Sequence, residues 1–393
     1  MTGPAIQRMR VHLYGTQGSG SIFPSRAERR AFQQRVDVDL LKCVFEDLSR
    51  RVDDTGRIAA TVDEVLGGPI NSRTLAAYAE RFDVPEPRVY GGWTTCVRIE
   101  TADDYDIVFD CGSGFRNCAR DLQARWGSRS DRHLHLFGSH SHLDHTEGFD
   151  QAAVCFDPRN HLHIYGNEQF LRALDFNLGI FSRQVAESAQ GVQTPIFYGV
   201  MPAKFEACSI RAAGEVVPDG PSLNGTTHPL ERPIRLGATS ITAFAVFHPA
   251  PCLAYRVEHG GRAFVFCTDH ELWRGDPSHP DNARSLDAEA RVVAHATGAD
   301  LLYRDGQYLR AEYDGIMGIG GSGAISRAGW GHSCIEDVID MASACRIRHT
   351  LIGHHDPNRD WSERNWLDES MLRRTGDTAN RVEFARAETV FDL

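Results

Sequence analysis

Short runs of apolar residues recur along most of the chain and are bounded by glycines or polar residues. Such runs predict strands, here at residues 9–15, 94–100, 106–110, 133–137, 161–165, 241–247, 253–258, 263–268, 300–303 and 350–353. Apolar residues with helical spacing predict helices at 169–174 and 334–344. Because strands and helices alternate, we expect residues 1–393 to form one large α/β domain.

A block with a different pattern interrupts this order at about residues 25–86. Its first helix is indicated by four apolar residues at spacing i, i+3, i+4 and i+7, namely Leu41, Val44, Phe45 and Leu48. Ser72 is placed to cap a second helix, and Pro85 and Pro87 close the block. We therefore expect an early helical insertion whose apolar stripe packs on its own domain or on a second subunit.

Composition narrows the setting in which the protein works. Apolar runs such as 241–247 are far shorter than a membrane helix needs, and the first residues contain no apolar signal core, so we expect a soluble, cytoplasmic protein. Ten scattered cysteines without a C-x-x-C pair predict buried, reduced thiols and no zinc knuckle. The formal net charge of −11 makes extended nucleic acid an unfavourable partner and leaves a small-molecule substrate open.

The strongest chemical signal is a cluster of metal-ligand residues directly after the predicted strand 133–137. His140, His142, Asp144 and His145 lie within six positions. Imidazole and carboxylate groups are the ligands of borderline divalent metals. A solvated histidine-rich loop is the alternative, but three histidines and an aspartate at this spacing fit better as ligands that converge on two neighbouring points.

This run resembles the H-x-H-x-D-H motif of the metallo-β-lactamase superfamily. Further matches follow in the order that the family has, each directly after a predicted strand: His248, Asp269 and His354. The resemblance covers about residues 11–360 apart from the insertion. It implies a four-layer αβ/βα sandwich with the functional residues at the strand ends.

The resemblance also implies two metal ions and the ligands of each. One ion would take His140, His142 and His248, and Asp269 would be shared between both ions. The second ion would take three further ligands: Asp144, His145 and His354. Zinc is the favoured divalent ion. Manganese and iron are alternatives, because the order of metal affinities alone does not choose among the three.

Several segments are similar to the phosphodiesterase branch of the superfamily, which includes tRNA 3′-processing endonucleases and phosphoribosyl cyclic phosphodiesterase: residues 15–19, 91–96, 109–114, 329–333 and 354–357. In that branch the histidine of the G-H-S segment, here His332, acts on the substrate phosphate and is not a metal ligand. Trp93, Ser139 and Cys334 depart from the residues usual in the branch. These departures do not affect the expected metal ligands, but they leave the identity of the substrate undecided.

Together these residues predict a binuclear hydrolase that cleaves a phosphodiester bond in a small or cyclic substrate through a metal-bridging hydroxide. Asp144 would orient the hydroxide, and His332 would either protonate the leaving alkoxide or stabilise the phosphorane. A lactone or thioester hydrolase with the same metals is one alternative, and a non-catalytic sensor or partner-binding domain is another. By the resemblance, the insertion and the glycine-rich segment 315–323 lie on the metal face. We therefore expect the insertion to cap the cleft or form a homodimer interface, with a peripheral decoration as the alternative.

A few polar residues near these motifs have two interpretations. Asp110 either steadies a ligand histidine or forms the turn before Gly112. Tyr308 and Glu312 are either functional or structural, and His355 is expected outside the ligand set. Two other histidines share one face of a predicted strand, where packing or surface roles are expected: His133 and His135.

Overall fold

The computed structural model describes residues 9–82, 84, 91–185, 195–215, 222–375 and 380–393. The chain divides into two compact units, one of Met1–Phe23 with Tyr90–Leu393 and one of Pro24–Val89. The predicted end of the insertion, with Pro85, Glu86 and Pro87, lies outside the described residues. A single domain over the whole chain stays a prediction.

The larger unit is built on two mixed sheets. In the described residues the strands are β1 (Met9–Gly15), β2 (Cys96–Thr101), β3 (Asp106–Phe109), β4 (Arg132–Phe137), β5 (Asn160–Gly166), β6 (Lys204–Arg211), β7 (Thr226–Pro229), β8 (Pro233–Leu236), β9 (Thr239–Val246), β10 (Cys252–His259), β11 (Arg262–Cys267), β12 (Leu301–Asp305), β13 (His349–Gly353), β14 (Arg381–Phe384) and β15 (Thr389–Asp392). The first sheet has eight strands in the order β15-β1-β2-β3-β4-β5-β6-β7, and the second has seven in the order β14-β13-β12-β11-β10-β9-β8. All ten predicted strands are present within a few residues of their predicted bounds.

Helices complete the architecture. The described helices are α1 (Arg26–Ser49), α2 (Val62–Leu66), α3 (Ser72–Ala79), α4 (Phe115–Trp126), α5 (Glu168–Leu178), α6 (Pro280–Ala296), α7 (Arg310–Tyr313), α8 (Ile335–Ala344) and α9 (Trp361–Thr375). Both helices predicted outside the insertion are confirmed as α5 and α8. In the described parts of the chain, no helix is long and apolar enough to cross a membrane.

The buried side chains lie in three layers, as the predicted sandwich requires. A central cluster joins the two sheets, where Phe109 of β3 packs at ring distances of 5.3 Å from Tyr255 and 5.2 Å from Phe266. A second cluster packs α4 and α5 on the outer face of the first sheet, and two more pack α6, α8 and α9 on the second. The order helix, sheet, sheet, helix confirms the four-layer α/β fold class.

The smaller unit, Pro24–Val89, contains α1, α2 and α3 around a small cluster of three buried residues, Val65, Leu66 and Tyr78. The predicted first helix is therefore present, but only part of its stripe is covered. Val44 and Leu48 pack against the cluster, whereas Leu41 and Phe45 are exposed. The predicted cap at Ser72 is wrong by one residue. Asn71 is the N-cap of α3, because its side chain accepts hydrogen bonds from two backbone amides of the first turn.

Candidate metal centre

The ends of several strands bring the predicted ligands to one edge of the sandwich. The segment after β4 carries His140 and turns at a short 3₁₀ helix, Leu143–His145. The other predicted ligands each follow the end of a strand within two residues: His248 after β9, Asp269 after β11 and His354 after β13. Residues far apart in the chain thus meet at one place.

Four of these side chains form a first cluster. The ligand atoms of His140, His142, His248 and Asp269 lie within 4.8 Å of one another. His140 Nε2 is 3.4 Å from Asp269 Oδ2, and His248 Nε2 is 3.2 Å from His142 Nδ1. His142 is exposed, whereas the other three are buried, so the cluster opens to solvent on one side.

A second cluster consists of Asp144, His145 and His354 and shares Asp269 with the first. His354 Nε2 lies 3.1 Å from Asp144 Oδ2 and 3.1 Å from Asp269 Oδ1. His145 Nε2 lies 3.2 Å from Asp269 Oδ1. The two oxygens of Asp269 thus face different clusters, Oδ2 the first and Oδ1 the second, which is the arrangement of a carboxylate between two ions.

The chemistry of these groups fits bound cations. The Nε2 atoms of His140 and His145 are buried and have no hydrogen-bond partner among the described residues, which is costly unless another group satisfies them. Burial lowers the pKa of His140 well below its usual value and that of His248 to about 4, so both stay neutral as metal ligands must. Burial acts to raise the pKa of Asp269, but His354 and His145 hold it well below its usual range. The two clusters together have the donor set of a binuclear metal site.

Asp110 supports this site through hydrogen bonds to His145 and to the neighbouring Ser139. Its carboxylate accepts hydrogen bonds from His145 Nδ1 at 2.7 Å, from the Ser139 amide at 2.7 Å and from the Ser139 hydroxyl at 2.7 Å. Orientation of a metal-ligating imidazole by a carboxylate fixes the tautomer that leaves Nε2 for the ion. Of its two interpretations, the geometry favours the one in which Asp110 steadies His145.

A backbone carbonyl and a side-chain amide orient two other predicted ligands. His248 Nδ1 donates to the carbonyl of Gly331 at 3.0 Å, and His354 Nδ1 donates to Gln307 Oε1 at 3.1 Å. The chain passes so close to His354 at Gly18 that a Cβ there would lie 2.3 Å from Nδ1. Glycine is therefore required at this approach.

His332 lies beside both clusters, as the family resemblance implied. Its ring is stacked on that of His354 at 4.7 Å, and its Nδ1 lies 3.0 Å from Asp305 Oδ2 and 4.0 Å from Asp269 Oδ2. Burial acts to lower the pKa of His332, but Asp305 raises it to about 9. Asp305, the last residue of β12, was not singled out from the sequence. It carries the same signal as Asp269, a carboxylate at the end of a buried strand.

Some residues with two interpretations prove to have structural contacts. Glu312 forms a buried two-point ion pair with Arg359, at 2.6 Å and 3.1 Å. Tyr308 is buried and contacts the ring of His332 edge-on at 5.9 Å. His355 Nε2 donates to the carbonyl of Ala385 at 2.7 Å, which keeps it outside the clusters as expected.

Two supporting residues were missed in the sequence because their roles depend on tertiary contact. The backbone amide of Ser19, in the glycine-rich turn after β1, donates to Asp144 Oδ2 at 2.8 Å. Gln307 orients His354 and in turn donates to Asp356 at 2.9 Å. A backbone donor leaves no trace in residue type, so only the glycines around Ser19 could have hinted at a close approach.

Comparison with known proteins agrees with this geometry. A family model described as a β-lactamase superfamily domain matches residues 105–355, more than half of the chain. A solved structure described as a new diphosphatase from the PhnP family has 13% sequence identity over 98% of this chain and 97% of its own, with a TM-score of 0.50. Zinc-bound PqqB from Methylobacterium extorquens has 12% identity over 98% of this chain and 100% of its own, also with a TM-score of 0.50. At these identities the likeness concerns the fold. No curated protein matches the sequence.

Proposed function

This chain belongs to the metallo-β-lactamase superfamily, and from that premise we propose that it is a binuclear metal-dependent hydrolase of phosphodiester bonds in small or cyclic substrates. The observation that carries the choice of a phosphodiester is the pair His332–Asp305, 3.0 Å apart, beside the two histidine and aspartate clusters. The likeness to a diphosphatase of the PhnP family is compatible with a phosphate substrate but extends only to the fold.

We assign the metal ligands as the two clusters suggest. One ion would be held by His140, His142 and His248, with Asp269 shared between both ions. The other would be held by three further residues, Asp144, His145 and His354. When bound, the two divalent cations supply an activated water nucleophile and neutralise charge that develops on the phosphate oxygens. Zinc is the favoured ion for these imidazole and carboxylate donors, with manganese and iron as alternatives.

Asp144 is the residue that we assign to orient the attacking water. Its side chain is 11% exposed, whereas that of Asp269 is 2% exposed, so Asp144 is the carboxylate nearer to an incoming substrate. The Ser19 amide and His354 Nε2 both contact its Oδ2 and hold the group in place. A fixed acceptor of this kind aligns the water for in-line attack on phosphorus.

His332 is the residue that we assign to the leaving group. Donation from Nδ1 to Asp305 fixes the ring and leaves the proton on Nε2 available for the leaving group. As water adds to phosphorus and the bond to the leaving oxygen breaks, Nε2 donates its proton to that oxygen and so prevents release of an unprotonated alkoxide. The His–Asp pair thus acts as a positioned general acid.

Two alternative functions remain, and the role of His332 distinguishes both of them from a phosphodiesterase. A lactone or thioester hydrolase could use the same metal ligands, but it has less need of a proton donor directed at a phosphate ester. A non-catalytic sensor would need neither an exposed ligand such as His142 nor a general acid. Both alternatives predict that phosphodiester turnover is absent from the metal-loaded protein.

The test is a substrate panel with matched variants. Metal-loaded protein is assayed on bis-p-nitrophenyl phosphate, cyclic nucleotides, cyclic phosphoribose, a homoserine lactone and a thioester. We expect His332→Ala to keep both metal equivalents and to lose turnover of alkyl phosphodiesters by roughly 10²- to 10⁴-fold. The loss should be smaller for p-nitrophenyl esters, whose leaving group needs little protonation, and Asp305→Asn should give an intermediate loss. Hydrolysis of only the lactone or the thioester would overturn the phosphodiester proposal.

A further inference from the structure

A second group of histidines lies at the start of β4 and β5, whereas the metal centre follows the end of β4. His133 of β4 is paired in register with His161 of β5. His163 of β5 is paired with His135 on one side and with Glu206 of β6 on the other. Because alternate residues of a strand share a face, these side chains all point to the same side of the first sheet.

The ring nitrogens in this group converge. His133, His161 and His163 each offer one nitrogen, and these three atoms lie within 4.8 Å of one another. The closest pair is His133 Nδ1 and His163 Nε2, at 2.8 Å. The rings of His161 and His163 are 4.1 Å apart. Three imidazoles with converging nitrogens form a ready set of ligands for a divalent transition metal.

Carboxylates already orient two of these rings. His133 Nε2 lies 2.7 Å from Asp131 Oδ1, and His163 Nδ1 lies 3.0 Å from Glu206 Oε2. In each ring the carboxylate contacts the nitrogen that does not converge with the others. This is the arrangement by which a carboxylate fixes the tautomer of a metal-bound histidine and leaves the opposite nitrogen for the ion.

Without an ion, one ring nitrogen of the group lacks an aligned hydrogen bond. His161 Nε2 is buried and lies 3.0 Å from Glu206 Oε1, but without the alignment of a hydrogen bond, so it has no hydrogen-bond partner among the described residues.

We propose that His133, His161 and His163 bind a divalent transition-metal ion at this edge of the first sheet, separate from the metal centre. His133 is exposed, which gives the ion a way in. A zinc–nitrogen bond of about 2.0–2.1 Å requires the two closest nitrogens to move apart by a few tenths of an ångström. The ion joins two adjacent parallel strands, so its role is to stabilise the sheet, with solvent completing its coordination.

The test counts zinc equivalents in the full chain. Wild type, whose metal centre is already filled, is titrated with further Zn²⁺ by calorimetry and analysed for bound metal after gel filtration. We expect one more equivalent in wild type than in His161→Gln/His163→Gln, and a rise of the thermal midpoint with zinc in wild type alone. His228→Gln, a histidine of β7 outside the group, is the matched control and should behave as wild type.

Absence of the proposed site, misfolding of the double variant and loss of the metal centre give different results. His133→Gln, at an exposed ring, should also lose the extra equivalent and guards against misfolding of the double variant. An equal zinc count in wild type and in both variants would overturn the proposal and would mean that the group is only a hydrogen-bonded packing of neutral rings. Loss of the metal-centre equivalents in the variants would overturn the claim that the two sites are separate.

A different observation concerns α1, in the smaller unit. Six residues of this helix recur at alternating spacings of four and three and are all exposed: Ala27, Ala31, Gln34, Val38, Leu41 and Phe45. We call this row the α1 seam. Its last three members are large apolar side chains with exposed fractions of 62%, 52% and 65%. A period of 3.5 residues is that of a helix that packs along another helix in a coiled coil.

The charges of α1 indicate what packs on the seam. Residues 26–36 carry four arginines and one glutamate, a net charge of +3. Residues 37–49 carry four acidic residues and one lysine, a net charge of −3. Two copies of α1 that run in opposite directions place each positive half against a negative half, whereas parallel copies place like charges together. The helix is thus complementary to itself in the antiparallel sense.

We infer that the α1 seam pairs with the same seam of a second copy of this chain in an antiparallel, two-fold arrangement. A symmetric pair buries the three large apolar residues of both copies at once. The seam covers fewer than the three to four heptads of a self-sufficient coiled coil, so the association is weak and reversible.

Sedimentation velocity on the full chain over a range of concentrations tests this inference. We expect a monomer–dimer equilibrium whose association constant falls at least tenfold in Leu41→Lys/Phe45→Lys and also falls with added salt. Phe176→Lys, at a residue of α5 that is 68% exposed, is the control and should associate as wild type. A wild type that stays monomeric at high concentration, or a dimer that persists in the seam variant, would overturn the inference.

Discussion

Asp110 offers the sharpest test of how the metal centre is supported. It is fully buried, its φ of 57° lies in the left-handed region, and its carboxylate accepts three hydrogen bonds, two from Ser139 and one from His145. Asp110→Asn keeps the shape and tolerates this φ, but it replaces one acceptor oxygen with a donor and removes the charge. Asp110→Ala removes every acceptor.

The two variants are expected to differ in what they lose. Asp110→Asn weakens the orientation of His145, so we expect the affinity for the ion held with Asp144 and His354 to fall roughly 10- to 100-fold, or about 1.4–2.7 kcal/mol. Asp110→Ala leaves three buried donors unsatisfied at about 1–3 kcal/mol each, so the free energy of unfolding should fall by at least about 3 kcal/mol.

The assay combines chelator competition for metal affinity with urea unfolding of the metal-free protein. We expect Asp110→Asn to bind one equivalent as wild type does and the second more weakly, with a smaller loss of stability than Asp110→Ala. If Asp110→Asn bound both equivalents with wild-type affinity, Asp110 would be only a turn residue and the supporting role would be wrong.

Two other substitutions test close contacts in the larger unit. In Gly18→Ala the new Cβ would lie 2.3 Å from His354 Nδ1, so elemental analysis should show loss of one metal equivalent, whereas Gly321→Ala, with no atom within 4 Å, should keep both. Glu312→Gln replaces the buried two-point ion pair with Arg359 by a neutral contact, while Arg359 keeps its pair with Glu363, so urea unfolding should show a loss of about 1.5–3 kcal/mol. Equal metal content in the two glycine variants, or a loss below about 1 kcal/mol for Glu312→Gln, would contradict these expectations.

The parts of the fold that could be predicted are those whose pattern is local. Strands buried on both faces, such as β11 and β12, appear as short apolar runs because nearly every side chain is buried. The edge strand β7 could not be found in this way, since its residues Thr226–Pro229 are exposed or half-buried and one of them is proline. The short C-terminal strands β14 and β15 depend on pairing with β13 and β1.

The candidate site divides in the same way. His140, His142, Asp144 and His145 lie together in the chain, so their number and spacing were enough to indicate a metal centre. The other proposed ligands are scattered and were identified by family resemblance, and the structure places them at the same sheet edge. The histidine group of β4 and β5 was not predicted, because convergence of His133 on His163 depends on strand register, which residue spacing does not reveal.

Local backbone conformation connects the stability of the fold to its candidate function. Asp110 and His354 are both non-glycine residues with positive φ, at 57° and 56°. Asp110 contacts the second cluster through His145, and His354 belongs to that cluster. Such conformations cost about 1–3 kcal/mol each and persist only where the surroundings impose them. Here Asp110 is held by three hydrogen bonds, and His354 is held by Gln307 on one nitrogen and by carboxylates on the other. The carboxylates that hold His354 in this conformation are negatively charged and therefore favour a bound cation. Cation binding and local folding thus stabilise the same arrangement.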